Sequence, residues 1–176
     1  WTPSAAGTYA LSAIAKDNEQ FVGTSASATP VTVAANVAPT VGKVQVPVDT
    51  VTLGNTVTLS VTAGDSDGSV ASVNFYNGSV LLGAGALSGG TTYTLAWTPD
   101  TVTTYNVTAI ATDNHGLDSV PSAIATTVTV ADNAAPTVGN VQVPVNTVTL
   151  GNTVTLSVTA GDSDGTIQSL DFYSDG

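Results

Sequence analysis

The stretch APTVGKVQVPVDTVTLGNTVTLSVTAGDSDGSVASVNFYN, residues 38–77, returns as APTVGNVQVPVNTVTLGNTVTLSVTAGDSDGTIQSLDFYS at 135–174, with identity at 32 of 40 positions. A second match joins WTPSAAGTYALSAIAKDN at 1–18 to WTPDTVTTYNVTAIATDN at 97–114. Self-similarity at a fixed long period means that one supersecondary unit is used over and over, so a reading of the fold has to explain a single unit. The repeat divides the chain into the back half of one unit (1–37), a complete unit (38–134) and the front half of a third (135–176).

Within the complete unit the period is two. In NTVTLSVTA (55–63) Val57, Leu59, Val61 and Ala63 share one face while Thr56, Thr58, Ser60 and Thr62 share the other, which describes a half-buried strand. The same reading places seven strands near 41–46, 55–63, 70–76, 80–84, 91–97, 104–112 and 122–131, separated by LGN, DSDG, NG, SGG, TPDT and DNHG turns. No stretch has a helical period. The expected core also takes Val73 and Phe75, then Tyr93, Leu95 and Trp97, then Tyr105, Val107 and Ala109, then Val128 and Val130. Short strands with regularly spaced turns predict an all-β fold of tandem seven-stranded immunoglobulin-like β-sandwiches.

The string DSDGSVASVNFYNGSVLLG followed by YTLAWTPDTVTTYNVTAIATDNHG resembles the bacterial Ig-like repeats of large secreted and surface proteins, including adhesins, fibre stalks and accessory modules of polysaccharide-degrading enzymes. The FYNG hairpin, the WTP step and the TAIATDN strand carry the resemblance together. It implies a structural spacer or stalk that lies outside the cell and has no chemistry of its own. Tyr9 and Tyr105, at the start of the sixth strand, are candidates for the tyrosine corner of such sandwiches.

Composition narrows the partners. Hydrophobic residues make up 42% of the chain and charged residues only 9%, so it can bury a core and must build its surface from hydroxyls, Asn and Gly. With a net charge of -11 and only two basic residues, Lys16 and Lys43, it opposes nucleic acid and anionic lipid, and no run of residues suits membrane insertion. Cations are the more natural partners. There is no Cys and therefore no disulfide or thiol chemistry. The chain lacks Met and any leader-like run, which reads as a mature segment or an excerpt.

An enzyme reading fails on inventory. His115, the single histidine, sits in a turn where the first segment has Glu19, and a triad needs base, nucleophile and orienting group together. Lys43 becomes Asn140 and Lys16 corresponds to Thr112, so a Lys crosslink is no fixture of the repeat. Trp97 and Tyr105 could offer a sugar-stacking platform, but their phase with Leu95 and Val107 sends them inward. Tyr76 and Tyr173, out of phase with Phe75 and Phe172, face outward, a thin site for polysaccharide.

The acidic loops remain. Alternating strand direction gathers Asp65 and Asp67 with Asp113, Asn114 and Asp118 at the pole where the preceding linker AANVAPT enters, and Asp162 and Asp164 sit equivalently beside ADNAAPT, which adds Asp132. Ca2+ takes about six to eight oxygen ligands and suits such a junction. DSDG has no closing Glu, however, and an Asx-type turn accounts for Asp and Gly equally well, so both readings stand.

The expected function is a structural repeat of an extracellular or cell-surface fibre or adhesin stalk, giving length, stiffness and cohesion. The alternative is a noncatalytic spacer or polysaccharide-binding module of a secreted hydrolase. The expected partners are neighbouring copies of the repeat, end to end. Neither terminal half should close by itself, because together they lack the counterpart of Ser79–Ala96. The open faces should lie at 138–143, 154–160 and 167–173, to be met by 8–16 and 29–34 of a neighbour, through a longer chain or by strand addition.

Overall fold

The computed structural model describes residues 1–25, 29–122 and 125–174, and every regular element in it is a strand. The first segment forms β1 (Gly7–Leu11), β2 (Ile14–Lys16), β3 (Val22–Thr24) and β4 (Thr29–Val33), with β1 paired to β4 and β2 to β3. The middle of the chain forms β5 (Thr40–Val41), β6 (Thr50–Thr52), β7 (Val57–Gly64), β8 (Val70–Asn77), β9 (Val80–Gly89), β10 (Thr92–Trp97), β11 (Thr104–Asp113) and β12 (Thr126–Ala131). The last segment holds only β13 (Thr137–Val138) and β14 (Ala160–Gly161), joined antiparallel, with a bridge from Gln142 to Ser157.

The central strands run in the order β5-β7-β10-β9-β8-β11-β12-β6. The first part of β9 pairs with β8 and its last part with β10, so this one strand passes from one layer of the sandwich to the other. The expected break after residue 84 is absent because a strand that changes layers no longer alternates one inward and one outward face, and the sequence signal lapses while the hydrogen bonding continues. The expected first strand, 41–46, also divides. Thr40, Val41 and Gln45 pair antiparallel with β7, and beyond Pro47 the chain crosses to pair parallel with β12 through β6. Proline has no amide to give to the ladder, so pairing to β7 ends there. Among the described residues the central sheet thus has eight strands where seven were expected.

The last central strand was expected from residue 122. Residues 123 and 124 lie outside the described residues, and regular pairing starts at Thr126. Upstream, two serines take the place of a ladder. Ser119 and Ser122 donate their amides to the carbonyls of Ala111 and Ala109 (2.8 and 3.0 Å). Their hydroxyls accept the amides of the same two residues (3.0 and 3.2 Å). Ser25 makes the same reciprocal pair with Ala13 in the first segment (2.9 and 3.1 Å). There, Ser25 to Gly23 match Ala13 to Ala15, whereas in the centre Ser119 to Ser122, with Pro121 between, span the same two residues of the partner strand. The extra residue is a bulge. Trp1 aligns with Trp97 whereas Val37 in the linker aligns with Ala134, one residue further on, and the bulge accounts for that difference.

The core is the inward face of this sandwich. Every expected core residue is buried except Leu95, which is half-buried against the rest, and Val44, Val51 and Ala111 join it. Trp97 and Tyr105 meet edge to face at 4.7 Å inside the core, an arrangement that aromatic quadrupoles favour and one closed to sugar stacking. Of the two corner candidates, Tyr9 donates its hydroxyl to the Ala5 carbonyl at 2.7 Å, while Tyr105 fills the core beside Trp97.

The third segment copies the sequence of β7 and β8 without their ladders. Residues 154–159 and 167–174 form no strand, and Val141, Leu156, Leu170 and Phe172 are exposed.

Candidate functional site

The junction pole is built first from the turn after β11. Asp113 ends that strand, and its Oδ1 accepts the amides of His115 and Leu117 at 2.8 Å each, which closes the turn on itself. Asp17 does the same for Glu19 and Phe21 at 2.9 Å. The aspartate before Asn18 and the one before Asn114 therefore organise their turns in the same way. Asn114 then joins this turn to the loop after β7: its amide donates to the Ser69 carbonyl and its Oδ1 accepts the Ser69 amide, both at 2.9 Å.

The DSDG loop is an Asx turn in both copies. Asp65 Oδ1 accepts the Asp67 amide, and Asp162 Oδ1 the Asp164 amide, each at 3.3 Å. A Cβ at Gly68 would lie 2.5 Å from Asn114 Oδ1 and 2.8 Å from Asp65 Oδ2, so a larger residue there would displace the side chains that form this turn.

The second aspartate reaches across to the linker. Asp67 Oδ2 accepts the amide of Val37 at 3.0 Å, and Asp164 Oδ2 accepts the amide of Ala134, the equivalent linker residue, at the same distance. At the first junction Asn36 also donates its side-chain amide to Asp113 Oδ2 at 2.6 Å, so two successive linker residues are held by two loops. At the second junction Thr52 of β6 donates to Asp164 Oδ2 at 3.4 Å, which ties the third segment back to the central sandwich.

Of the residues singled out from sequence, Asp65, Asp67, Asp113 and Asn114 meet at one pole with the linker, and Asp162 and Asp164 repeat the DSDG turn and its bond to the linker at the next. Asp118 accepts the Thr112 hydroxyl at 2.7 Å on the flank of β11, and Asp132 is exposed in the linker. Sequence reasoning missed Asn36 and Thr52 as donors. The linker string contained Asn36, but only the folded register shows that its side chain faces Asp113. Among the described residues no group of three or more His, Asp or Glu side chains is arranged to hold a metal. Two buried carboxylate oxygens, Asp65 Oδ2 and Asp164 Oδ1, have no hydrogen-bond donor.

Hydrogen bonding tunes these acids. The Asn36 amide is the main influence that holds the Asp113 carboxyl below the usual range, helped by the Leu117 and His115 amides against the opposing effect of burial. The Ala134 amide does the same for Asp164, with the Thr52 hydroxyl adding to it. Both carboxylates are therefore stabilised as anions by the linker they hold.

Residues 43–109, which run from the strand before Pro47 through most of β11, match the family model described as a bacterial Ig domain. The middle of the chain is thus similar to a bacterial Ig domain. Among curated proteins none matches the sequence. Among solved structures, the fibronectin(III)-like modules of Clostridium thermocellum CbhA are similar at 27% identity, with 75% of this chain and 66% of that one covered and a TM-score of 0.49. A crystal structure of an engineered protein is similar at 28% identity over 55% of this chain and 21% of that one, with a TM-score of 0.34. This chain thus spans just under two thirds of the first and about a fifth of the second. The fold stands on its own strand order and on the family match.

Proposed function

We propose that this chain is a noncatalytic structural spacer of an extracellular bacterial protein, whose joints are set by the DSDG loops. The supporting observation is the pair of equivalent bonds, Val37 to Asp67 and Ala134 to Asp164, made at two junctions by the same loop position. A carboxylate that captures the backbone of the incoming linker limits rotation between neighbouring units, and a tandem array with limited rotation transmits length and stiffness. Placing Trp97 and Tyr105 in the core favours this reading over a polysaccharide-binding accessory module. The test is Asp67→Ala combined with Asp164→Ala. Small-angle scattering should show a broader distribution of interdomain distances, while the central sandwich keeps its near-ultraviolet circular dichroism. An unchanged scattering profile would overturn the joint-setting role.

A second reading, Ca2+ at the junctions, is favoured by one observation: the donor-less buried oxygens of Asp65 and Asp164. Calcium at 100 times its dissociation constant should then stabilise the fold by about 2.7 kcal/mol, and Asp65→Asn with Asp67→Asn should remove that gain. Equal melting temperatures in calcium and in chelator would leave the turn reading alone.

A further inference from the structure

One edge of the central sandwich rests on a short parallel pair. β6 holds three residues, pairs with β12 and stands last in the strand order, so among the described residues no strand lies along its outer side. Parallel pairing is slightly less stable per residue than antiparallel pairing, and elements with few contacts open locally before the rest of a fold does. Two backbone bonds extend the pair beyond its three residues: the Thr129 amide donates to the Asp49 carbonyl at 2.9 Å, and the Leu53 amide to the Ala131 carbonyl at 2.8 Å. Inside, Val51 anchors β6 to the core.

Asp164 stands across the end of this pair. Its Oδ2 accepts the hydroxyl of Thr52, the last residue of β6, at 3.4 Å, and the amide of Ala134, three residues beyond β12, at 3.0 Å. One carboxylate oxygen thus bridges the two stretches of chain where they leave their ladder. The same donors, the Ala134 amide foremost, favour the charged carboxylate, and a charged acceptor makes the stronger kind of hydrogen bond. The neighbourhood is shared more widely than by one atom. A groove of about 440 Å³ is lined by Thr50, Val51 and Thr52 together with Asp164, and another of about 660 Å³ by Asn55 and Asn133 together with Asp162 and Asp164.

Both partners come from one string. VTLGNTVTLSVTAGDSDG occurs at 51–68 and again, unchanged, at 148–165. Thr52 stands near the start of the string in one copy, and Asp164 next to the end of it in the following copy. The contact therefore joins two different parts of the same string, head to tail, and a tandem array can repeat such a contact without any change of residue.

We propose that the β6 edge is a docking surface for the DSDG loop of the segment that follows, and that Asp164 staples β6 to the outgoing linker, so that the local stability of the central unit is set in part by its successor. This builds on the joint-setting role above and adds a second effect of the same carboxylate. The incoming linker leads through β5 to β6, and β12 leads into the outgoing linker, so tension along the chain draws these two parallel strands past each other. A bridge across their end is placed to resist that motion.

The test uses the full chain and reads amide hydrogen exchange at Leu53, bonded to the Ala131 carbonyl, against Gln45, bonded to the Ser60 carbonyl on the β5 side of the sandwich. Thr52→Val removes the hydroxyl, keeps the branched shape that suits a strand and leaves the Ala134 bond to Asp164 in place. It should speed exchange at Leu53 by about fivefold, the factor that corresponds to one ordinary hydrogen bond, with Gln45 unchanged. Asp164→Ala should do at least as much, and adding Thr52→Val to it should change nothing further, because both remove the same contact. Asp67→Ala, at the other junction, should leave Leu53 as it is. Exchange at Leu53 that ignores Thr52→Val, additive effects of the two substitutions, acceleration by Asp67→Ala, or equal acceleration at Gln45 would overturn the proposal. The joint-setting role fails separately, through an unchanged scattering profile in the variant that lacks both Asp67 and Asp164.

Discussion

Residues 57–63 and 154–160 have the same sequence, VTLSVTA, and their structures differ. In the centre Leu59 is completely buried and its strand carries full ladders, whereas Leu156 is 40% exposed and most of its stretch has no partner. Phe75 and Phe172 differ likewise, at 0% and 45% exposure. An alternating pattern states which face a strand will bury. It becomes a strand only when a second edge and an opposing layer arrive, because an unpaired backbone gains nothing over hydration.

The largest expected contrast is at these phenylalanines. Phe75→Ala should cost about 3–5 kcal/mol, the usual range for emptying a buried aromatic site, while Phe172→Ala in dilute solution should leave the melt of the central unit where it was. Equal losses would mean that the third segment is packed as tightly as the second.

Next come the serines that stand in for a ladder. Ser122→Ala removes a buried acceptor from the Ala109 amide and should cost about 1–3 kcal/mol in chemical denaturation. Ser25→Ala removes the same bond in an exposed setting, where water replaces the lost oxygen, and should fall well below that.

A smaller effect separates the turn after Asp17 from the turn after Asp113. Gln20 adopts a φ of 71° where the central turn has Gly116 at 85°. A side chain in that region costs about 1–2 kcal/mol, so Gln20→Gly should slow amide exchange in the β2–β3 hairpin and Gly116→Gln should speed it around Leu117.

The smallest effect is that of pH on the joint. Asp113 and Asp164 have lowered folded-state values, so the stability they contribute is complete above the ordinary carboxylate range, near about 4, and is lost as pH falls through their depressed values. The side-chain amide resonances of Asn36 should keep their bonded shifts at pH 5 and lose them in stronger acid. Unchanged shifts throughout would mean that the linker is held by something other than these carboxylates.

Much of the site was legible because repetition marks it. The pole that gathers Asp65, Asp67, Asp113 and Asn114 follows from strand alternation, and the structure brings those four together. Asn36 was hidden because nothing in AANVAPT separates a linker asparagine that faces water from one that faces Asp113. The same limit hid β6 and the passage of β9 between layers. Both depend on which strand lies alongside, and parallel or shared pairing leaves no local pattern.

By itself the sequence determined the all-β class, the period, the buried face of nearly every central strand and the places where DSDG and DNHG turn the chain. Each of these is set by bonds or contacts within a few residues, or by the twofold alternation of side chains along an extended backbone. Only the tertiary structure decided that the first strand changes edges at Pro47, that two serines replace part of a ladder, and that the second aspartate of DSDG holds the linker. Those outcomes depend on donors and acceptors that are distant in sequence and become neighbours only once the two layers have closed.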